Sequence, residues 1–234
     1  MQYLRLFTLL FLITAPSFAN EITVLGDSFH PLSFQVNGVK QGKVYEMVEK
    51  IIKKSGLKVK KNIITSWEIV YDYALKNPNV LFYTIVRTKE REDKFHWIGR
   101  VSDRRMFIYA LKKRKDISIK RWQDLEAYKT LSLRKATVTD YISKRGAQIY
   151  PTTDLKQAYK MLINERAELM VMLDYSKDHL DKKNLVKPVW EIDQPGSFYV
   201  AMSKQTPEYI VKKVRQAYLD LKRKRKIIPI TRRD

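Results

Sequence analysis

The chain has 234 residues with 46 basic and 25 acidic side chains, a net charge of +21. Apolar residues make up 44% of it, enough for a packed core, so the composition excludes a disordered chain. The absence of cysteine excludes disulfides, thiolate metal sites and a cysteine nucleophile. The charge favours anionic partners, but basic residues are spread along the whole chain, which indicates a solvated basic surface rather than a nucleic-acid site.

Residues 1–19 differ from the rest of the chain. Arg5 is their only charge, Leu6–Ile13 is an apolar run, and small residues occupy positions −3 and −1 of a cleavage point before Asn20. This pattern predicts a cleaved secretory signal peptide, whose removal lowers the net charge to +20. A retained membrane anchor is the alternative, although the apolar run is shorter than the ~20 residues that span a bilayer.

The first half of the exported chain alternates strands and helices. Its clearest helix has apolar residues from Val44 to Ile52 at helical spacing and ends at Gly56. In chain order we predict a strand over 21–26, a hairpin within 32–43, this helix, a strand over 57–64, a helix over 67–75 and a strand over 80–86.

The second half repeats this order, which predicts an α/β fold of two lobes, each a mostly parallel sheet flanked by helices. Asp154 and Thr206 are predicted to cap helices. We predict strands over 106–111, 130–133, 169–173 and 198–202, a short helix or turn over 119–125, and helices from about 137, over 155–162 and over 207–221.

Signals for catalysis are weak. The histidines His30, His96 and His179 are far apart and show no metal-ligand spacing, and the chain has neither a nucleophile elbow nor a phosphate-binding glycine loop. We therefore predict a protein that is not an enzyme and that uses no metal or cofactor.

One stretch of the sequence is more informative about ligand binding. The apolar strand over 80–86 runs directly into Thr88-Lys89-Glu90-Arg91. Ligands of open α/β sheets bind beyond the carboxyl ends of the strands, and arginine can hold a carboxylate through two parallel hydrogen bonds. The pattern indicates an anion-binding arginine in a cleft, with an ordinary exposed arginine as the alternative.

This stretch resembles the Thr-x-Glu-Arg…Phe segment of the family 3 periplasmic solute-binding proteins, the polar amino-acid binders of ABC importers. The resemblance implies the type II binding-protein fold and a periplasmic location. Further segments resemble the family in the same order: Phe29–Phe34, Gly38 with Gly42, Trp67 with Leu75, Trp122–Leu125, and Phe198–Lys204 with Thr206–Glu208.

The resemblance implies a ligand site position by position. Arg91 matches the arginine that clamps the ligand α-carboxylate, and Thr84 matches a small hydroxyl residue that meets the ligand amine. Phe29 matches an aromatic residue that packs on the ligand, and Trp67 forms the opposite wall. Thr137 matches a hydroxyl residue at a helix start in lobe two.

Three positions depart from the family pattern or add to it. Ala136 stands where the family usually has glycine. Leu173 stands where it often has a carboxylate for the ligand ammonium, and Asp174 is one residue further, on the opposite side of an extended chain. Arg87 adds a second guanidinium. We therefore expect a small polar, carboxylate-bearing solute, an amino acid or a related compound, with Asp174 and Arg87 as further candidate ligand residues.

The resemblance also implies how the lobes are divided and what they do. Lobe one comprises 20–104 plus 192–234 and lobe two 105–191. Binding of the ligand closes the hinge between the lobes, and an inner-membrane ABC permease recognises the closed monomer. A binding or sensory module of the cell envelope is the alternative. A dehydratase-type enzyme, with Asp174 as acid or base, is a third reading.

Overall fold

The structure, a computed structural model, describes residues 20–194 and 196–231. The predicted signal peptide, residues 1–19, lies outside this range. Within the range, none of the helices combines the length and the apolar character that a membrane crossing requires.

The chain forms twelve strands and six α-helices in the described range. The strands are β1 Glu21–Asp27, β2 Phe34–Val36, β3 Val39–Gln41, β4 Lys58–Thr65, β5 Val80–Val86, β6 Phe95–Asp103, β7 Met106–Leu111, β8 Lys129–Leu133, β9 Gln148–Thr152, β10 Leu169–Leu173, β11 Val186–Ile192 and β12 Ser197–Ser203. The helices are α1 Lys43–Ser55, α2 Trp67–Lys76, α3 Thr137–Ser143, α4 Leu155–Ile163, α5 Asp174–Leu180 and α6 Glu208–Arg223, with 3-10 turns at Lys89–Lys94 and Trp122–Ala127.

Two five-stranded sheets organise the molecule. The first has the order β4-β1-β5-β12-β6 and the second the order β11-β7-β10-β8-β9. In the first sheet β1 pairs in parallel with β4 and β5, whereas β12 runs antiparallel to β5 and β6. The second sheet has the same division, with β8 parallel to β9 and β10, and β7 antiparallel to β10 and β11. The α/β class predicted from the sequence is confirmed, and half of the pairings in each sheet are antiparallel.

We call the elements around the first sheet lobe one and those around the second sheet lobe two. The chain passes between them twice, from β6 to β7 through Arg104 and Arg105, and from β11 to β12. The predicted residue limits of the lobes stay a prediction.

Helix α1 shows how closely local pattern and structure agree. Its buried residues are Val44, Met47, Val48, Ile51 and Ile52, the stripe predicted from the spacing. It ends at Gly56, whose φ of 69° lies in the left-handed region that glycine adopts without strain. Strand β4, whose predicted start differs by one residue, lies at the sheet edge with its lysines exposed.

The cap of α4 was predicted correctly and the cap of α6 was not. Asp154 accepts a hydrogen bond from the backbone N–H of Gln157, the contact expected of an N-cap. Thr206 makes no such contact. Its hydroxyl accepts a hydrogen bond from Asn79 at 3.1 Å and pairs with Ser203 at 2.9 Å, so it ties the loop before β5 to the end of β12.

Candidate functional site

A cavity lies between the two lobes, where β1, β5, β8 and β10 present residues at or beyond their carboxyl ends. Its volume is about 50 Å³. Of the seven candidate ligand residues taken from the sequence, the structure brings five to this central cavity: Phe29, Trp67, Thr84, Arg91 and Thr137.

Arg91 sits in the 3-10 turn after β5 and is only 7% exposed. Its guanidinium donates to the carbonyl oxygens of Val86 at 3.3 Å and of Lys135, in lobe two, at 3.1 Å. It also packs on the rings of Tyr71 and Trp67, with 4.8 Å and 5.5 Å to the ring centroids. Burial lowers the pKa of Arg91, and the hydrogen bonds and rings fix the position of its charge.

Arg104, which the sequence reasoning did not single out, is the second guanidinium of the cavity. It lies in the first crossover and is 6% exposed. It donates to Thr137 Oγ1 at 3.5 Å and to the side-chain oxygen of Gln194 in the second crossover. Burial lowers its pKa to about 10, and the charge of Arg91 acts in the same direction. Arg104 is therefore still a cation at neutral pH.

Asp27 is the third ionisable group of the cavity, and it is 6% exposed. Burial raises its pKa to about 7, and its hydrogen bond with Thr84 opposes that rise. The Thr84 oxygen also lies 2.5 Å from the carbonyl oxygen of Tyr83. The Thr84 hydroxyl has one proton to share between the Asp27 carboxyl, to which it donates, and this carbonyl oxygen.

Thr84 makes these contacts while its own backbone is in an uncommon conformation. Its φ of 63° lies in the left-handed region, although it belongs to a strand and carries a β-branched side chain. Such a conformation costs about 1–3 kcal/mol and persists where the surroundings enforce it. The hydrogen bonds to Asp27 and Tyr83 are part of those surroundings.

The two sides of the cavity differ in chemistry. We call Asp27, Thr84, Arg91 and Arg104 the charged wall. The facing side comes from lobe two and is made of aliphatic and thioether side chains; we call it the apolar wall, and its members are Met106, Leu133, Val138, Leu155, Val171 and Met172.

Neither guanidinium of the charged wall forms an ion pair with a carboxylate in the part of the chain that the structure describes. Among the residues that line the cavity, the carboxyl group is that of Asp27. Because the pKa of Asp27 is raised to about 7, this carboxyl only partly offsets the two guanidinium charges near neutral pH, and the cavity keeps a net positive charge that an anion would neutralise.

Two of the seven candidate residues lie elsewhere. Arg87 is exposed, pairs with Glu92 through two hydrogen bonds, one of them 2.7 Å long, and packs over Trp97 at 5.4 Å. Arg87 is not among the residues that line the central cavity, and its assignment to the ligand site stays a prediction.

Asp174 also lies outside the central cavity, beside a separate surface depression that includes Arg105 and Tyr175. Its carboxylate accepts from the backbone N–H of Tyr175 at 2.8 Å. Since Leu173 is fully buried, the next side chain along the strand direction turns the other way. Asp174 is thus not among the residues that line the central cavity, although its depression shares Arg104 with that cavity, and its assignment to the ligand site stays a prediction.

Lys135 carries most of the contacts that join the lobes on one side of the cavity. Its carbonyl oxygen accepts from Trp67 Nε1 and from Arg91, both at 3.1 Å. Its ammonium group pairs with Asp72 at 2.7 Å and with Glu68 at 3.5 Å on α2. Nothing in the local sequence pattern marks this residue, since its role depends on where α2 and α3 meet.

The lobes also touch on the other side. The rings of His30 in lobe one and His179 in lobe two stack at 3.7 Å between centroids, with 14° between their planes. Ser176 donates to the carbonyl oxygen of His30 at 2.6 Å. Contacts on both sides of the cavity show that the two lobes are closed on each other.

Comparison with known proteins is informative at the level of structure. No family model matches the sequence, and no curated protein matches it. Solved structures that are similar include a mutant of ArgBP from T. maritima, at 17% identity and a TM-score of 0.78, with 88% of this chain and 91% of that chain covered. The substrate-binding protein of an amino acid ABC transporter is similar at 17% identity and a TM-score of 0.75, with 88% and 94% covered.

A histidine kinase sensor domain described as similar to periplasmic binding proteins is equally close in structure. It shows 16% identity and a TM-score of 0.78, with 88% of this chain and 92% of that chain covered. At identities this low the likeness establishes the fold. The chain therefore has the two-lobed fold of periplasmic binding proteins, with its central cavity between the lobes.

Proposed function

We propose that this protein captures a small carboxylate-bearing solute by closure of its two lobes, with the carboxylate held by Arg91. The observation that supports this most strongly is that five residues expected from the family resemblance, from both lobes, line one cavity in which Arg104 adds a second buried guanidinium to that of Arg91. Buried cations without a carboxylate partner favour an anionic ligand.

The geometry supports a hinge mechanism. Lobe one, proposed as 20–104 plus 192–234, supplies the charged wall, and lobe two, proposed as 105–191, supplies the apolar wall. A ligand that contacts both walls stabilises the closed form over the open one, because only the closed form offers both sets of contacts. The Lys135 contacts and the His30–His179 stack add to that preference.

We further propose that the mature protein works as a monomer in the bacterial periplasm and delivers its ligand to an inner-membrane ABC permease. The predicted signal peptide over 1–19 supports export. The structural likeness to the substrate-binding protein of an amino acid ABC transporter supports the transport role.

A thermal-shift screen of the purified protein against amino acids and organic acids tests solute capture. A ligand present at 100 times its dissociation constant stabilises the folded state by about 2.7 kcal/mol. We expect Arg91→Gln to lose the shift for every carboxylate, while Arg100→Gln, an exposed arginine paired with Asp103 outside the cavity, keeps it. An undiminished shift in Arg91→Gln would rule out the clamp.

A sensory role is the second candidate, favoured by the likeness to a histidine kinase sensor domain. The two roles differ in what happens when the gene is deleted. Loss of cellular uptake of a ligand found in the screen indicates transport, whereas unchanged uptake with a lost transcriptional response to that ligand indicates sensing.

A further inference from the structure

The two guanidinium groups of the charged wall converge on one small region of lobe two. Arg91 donates to the carbonyl oxygen of Lys135 and Arg104 donates to the hydroxyl of Thr137, two residues further along the chain. The charge of Arg91 also lowers the pKa of Arg104, so the two cations lie within electrostatic reach of each other. Both are at least 93% buried. Such a pair is stabilised by one anionic group that accepts hydrogen bonds from both.

Among its described lining residues the same cavity offers an ammonium group one carboxyl, that of Asp27. This carboxyl is engaged with Thr84, and burial raises its pKa to about 7, which disfavours its ionised form. The hydroxyl of Ser132 pairs with Thr139 at 2.7 Å. An α-amino acid would therefore place its positive charge near two guanidiniums, with a single, partly protonated carboxyl to balance three cations, which is unfavourable in a buried site.

The apolar wall and the size of the cavity limit the rest of the ligand. About 50 Å³ is roughly one third of the engineered 150 Å³ cavity that binds benzene in another protein. Most of the lobe-two side chains that line the cavity, among them Leu133, Val138 and Val171, offer no hydrogen bonds. This side of the cavity suits a short hydrocarbon chain.

We infer that the central cavity binds a short-chain carboxylate that lacks an ammonium group, with its carboxylate between Arg91 and Arg104 and its carbon chain on the apolar wall. This inference rests on the proposed function of the same cavity and narrows the class of solute. It also assigns Arg104 as a second anion-binding residue.

Pairs of ligands that differ in the ammonium group alone provide the test. Acetate, propionate and butyrate are titrated by calorimetry against the protein beside glycine, alanine and 2-aminobutyrate, which have the same carbon skeletons. We expect at least one of the acids to bind at least tenfold more tightly than its amino counterpart. Arg104→Gln should weaken that acid at least tenfold, and Arg166→Gln, an exposed arginine far from the cavity, should leave its affinity unchanged.

A second variant keeps the test decisive if Arg104→Gln does not fold. Arg104→Lys retains the charge but not the paired hydrogen-bond donors, so it should bind the acid more weakly than the wild type and more tightly than any neutral substitution. If Arg104→Lys or Arg104→Gln bound the acid as tightly as the wild type does, the role of Arg104 in binding the carboxylate would be overturned.

The outcomes separate this inference from the proposed function. Tighter binding of the amino acids, lost in Arg91→Gln, overturns the inference and leaves solute capture standing. Failure of all six compounds, together with a broader screen that finds no carboxylate ligand, overturns both.

Discussion

The charged wall and the apolar wall face each other across the same cavity but come from different lobes. Lobe one and the first crossover contribute both guanidiniums and the buried carboxyl, while lobe two contributes mainly aliphatic side chains. In an open form each wall would be exposed to water. Closure therefore creates the environment in which the arginines lose their solvation and an anion becomes a favourable partner.

The largest effect is expected on the charged wall, at Asp27. Its pKa of about 7 in the folded protein lies above the ordinary value of about 3.9. The folded state thus holds a proton that the unfolded chain releases, and the free energy of unfolding falls as pH rises from about 4 to about 7. Asp27→Asn removes this loss, so above pH 7 the variant should be more stable by on the order of 4 kcal/mol, with no gain near pH 4.

Urea unfolding of the wild type and Asp27→Asn at both ends of that pH range measures the difference. Asp178→Asn, an exposed aspartate outside the central cavity, serves as the control. An advantage for Asp27→Asn that is the same at low and high pH would show that Asp27 does not carry the raised pKa.

On the apolar wall, Leu155→Ala tests packing. Leu155 is the first residue of α4 and is 6% exposed, so truncation should cost about 3 kcal/mol of unfolding free energy and enlarge the cavity. Leu219→Ala on α6, where the side chain is 49% exposed, should cost less than about 0.5 kcal/mol. Comparable losses in the two variants would mean that the apolar wall is not tightly packed around Leu155.

The smallest effect concerns a hydrogen bond that joins the two lobes. Trp67 Nε1 donates to Lys135 across the lobes at 3.1 Å, whereas Trp97 Nε1 donates to Glu92 within lobe one at 3.0 Å. Each hydrogen bond is worth about 1 kcal/mol. Trp67→Phe should therefore weaken ligand binding about fivefold, while Trp97→Phe should reduce stability without changing affinity. Equal affinity losses, measured by titration, would contradict a role for Trp67 in closure.

Local patterns predicted the central elements of the fold well and the edges poorly. Helix α1 and strand β10 were predicted because burial leaves a visible pattern in the sequence. Burial on one face of a helix gives a periodic apolar stripe, and burial on both faces of a strand gives a continuous apolar run. Strands β6, β9 and β11, each at the edge of a sheet, were missed. Strands β9 and β11 contain Pro151 and Pro188, which an edge position tolerates but which argue against a strand in a sequence.

The candidate site shows the same difference between residues that a local pattern predicts and residues that it does not. Arg91 was found because it follows a buried strand in a recognisable segment, although the same logic also selected Arg87, which the structure places on the surface. The difference between them comes from the 3-10 turn, which the sequence reasoning did not predict. Arg104, Lys135 and Gln194 were missed because their roles depend on how the lobes meet, and no local spacing encodes that.

The hydrogen bond between Arg104 and Gln194 joins the two connections between the lobes. In the hinge closure proposed above, a ligand that contacts Arg104 would therefore bear on both connections at once.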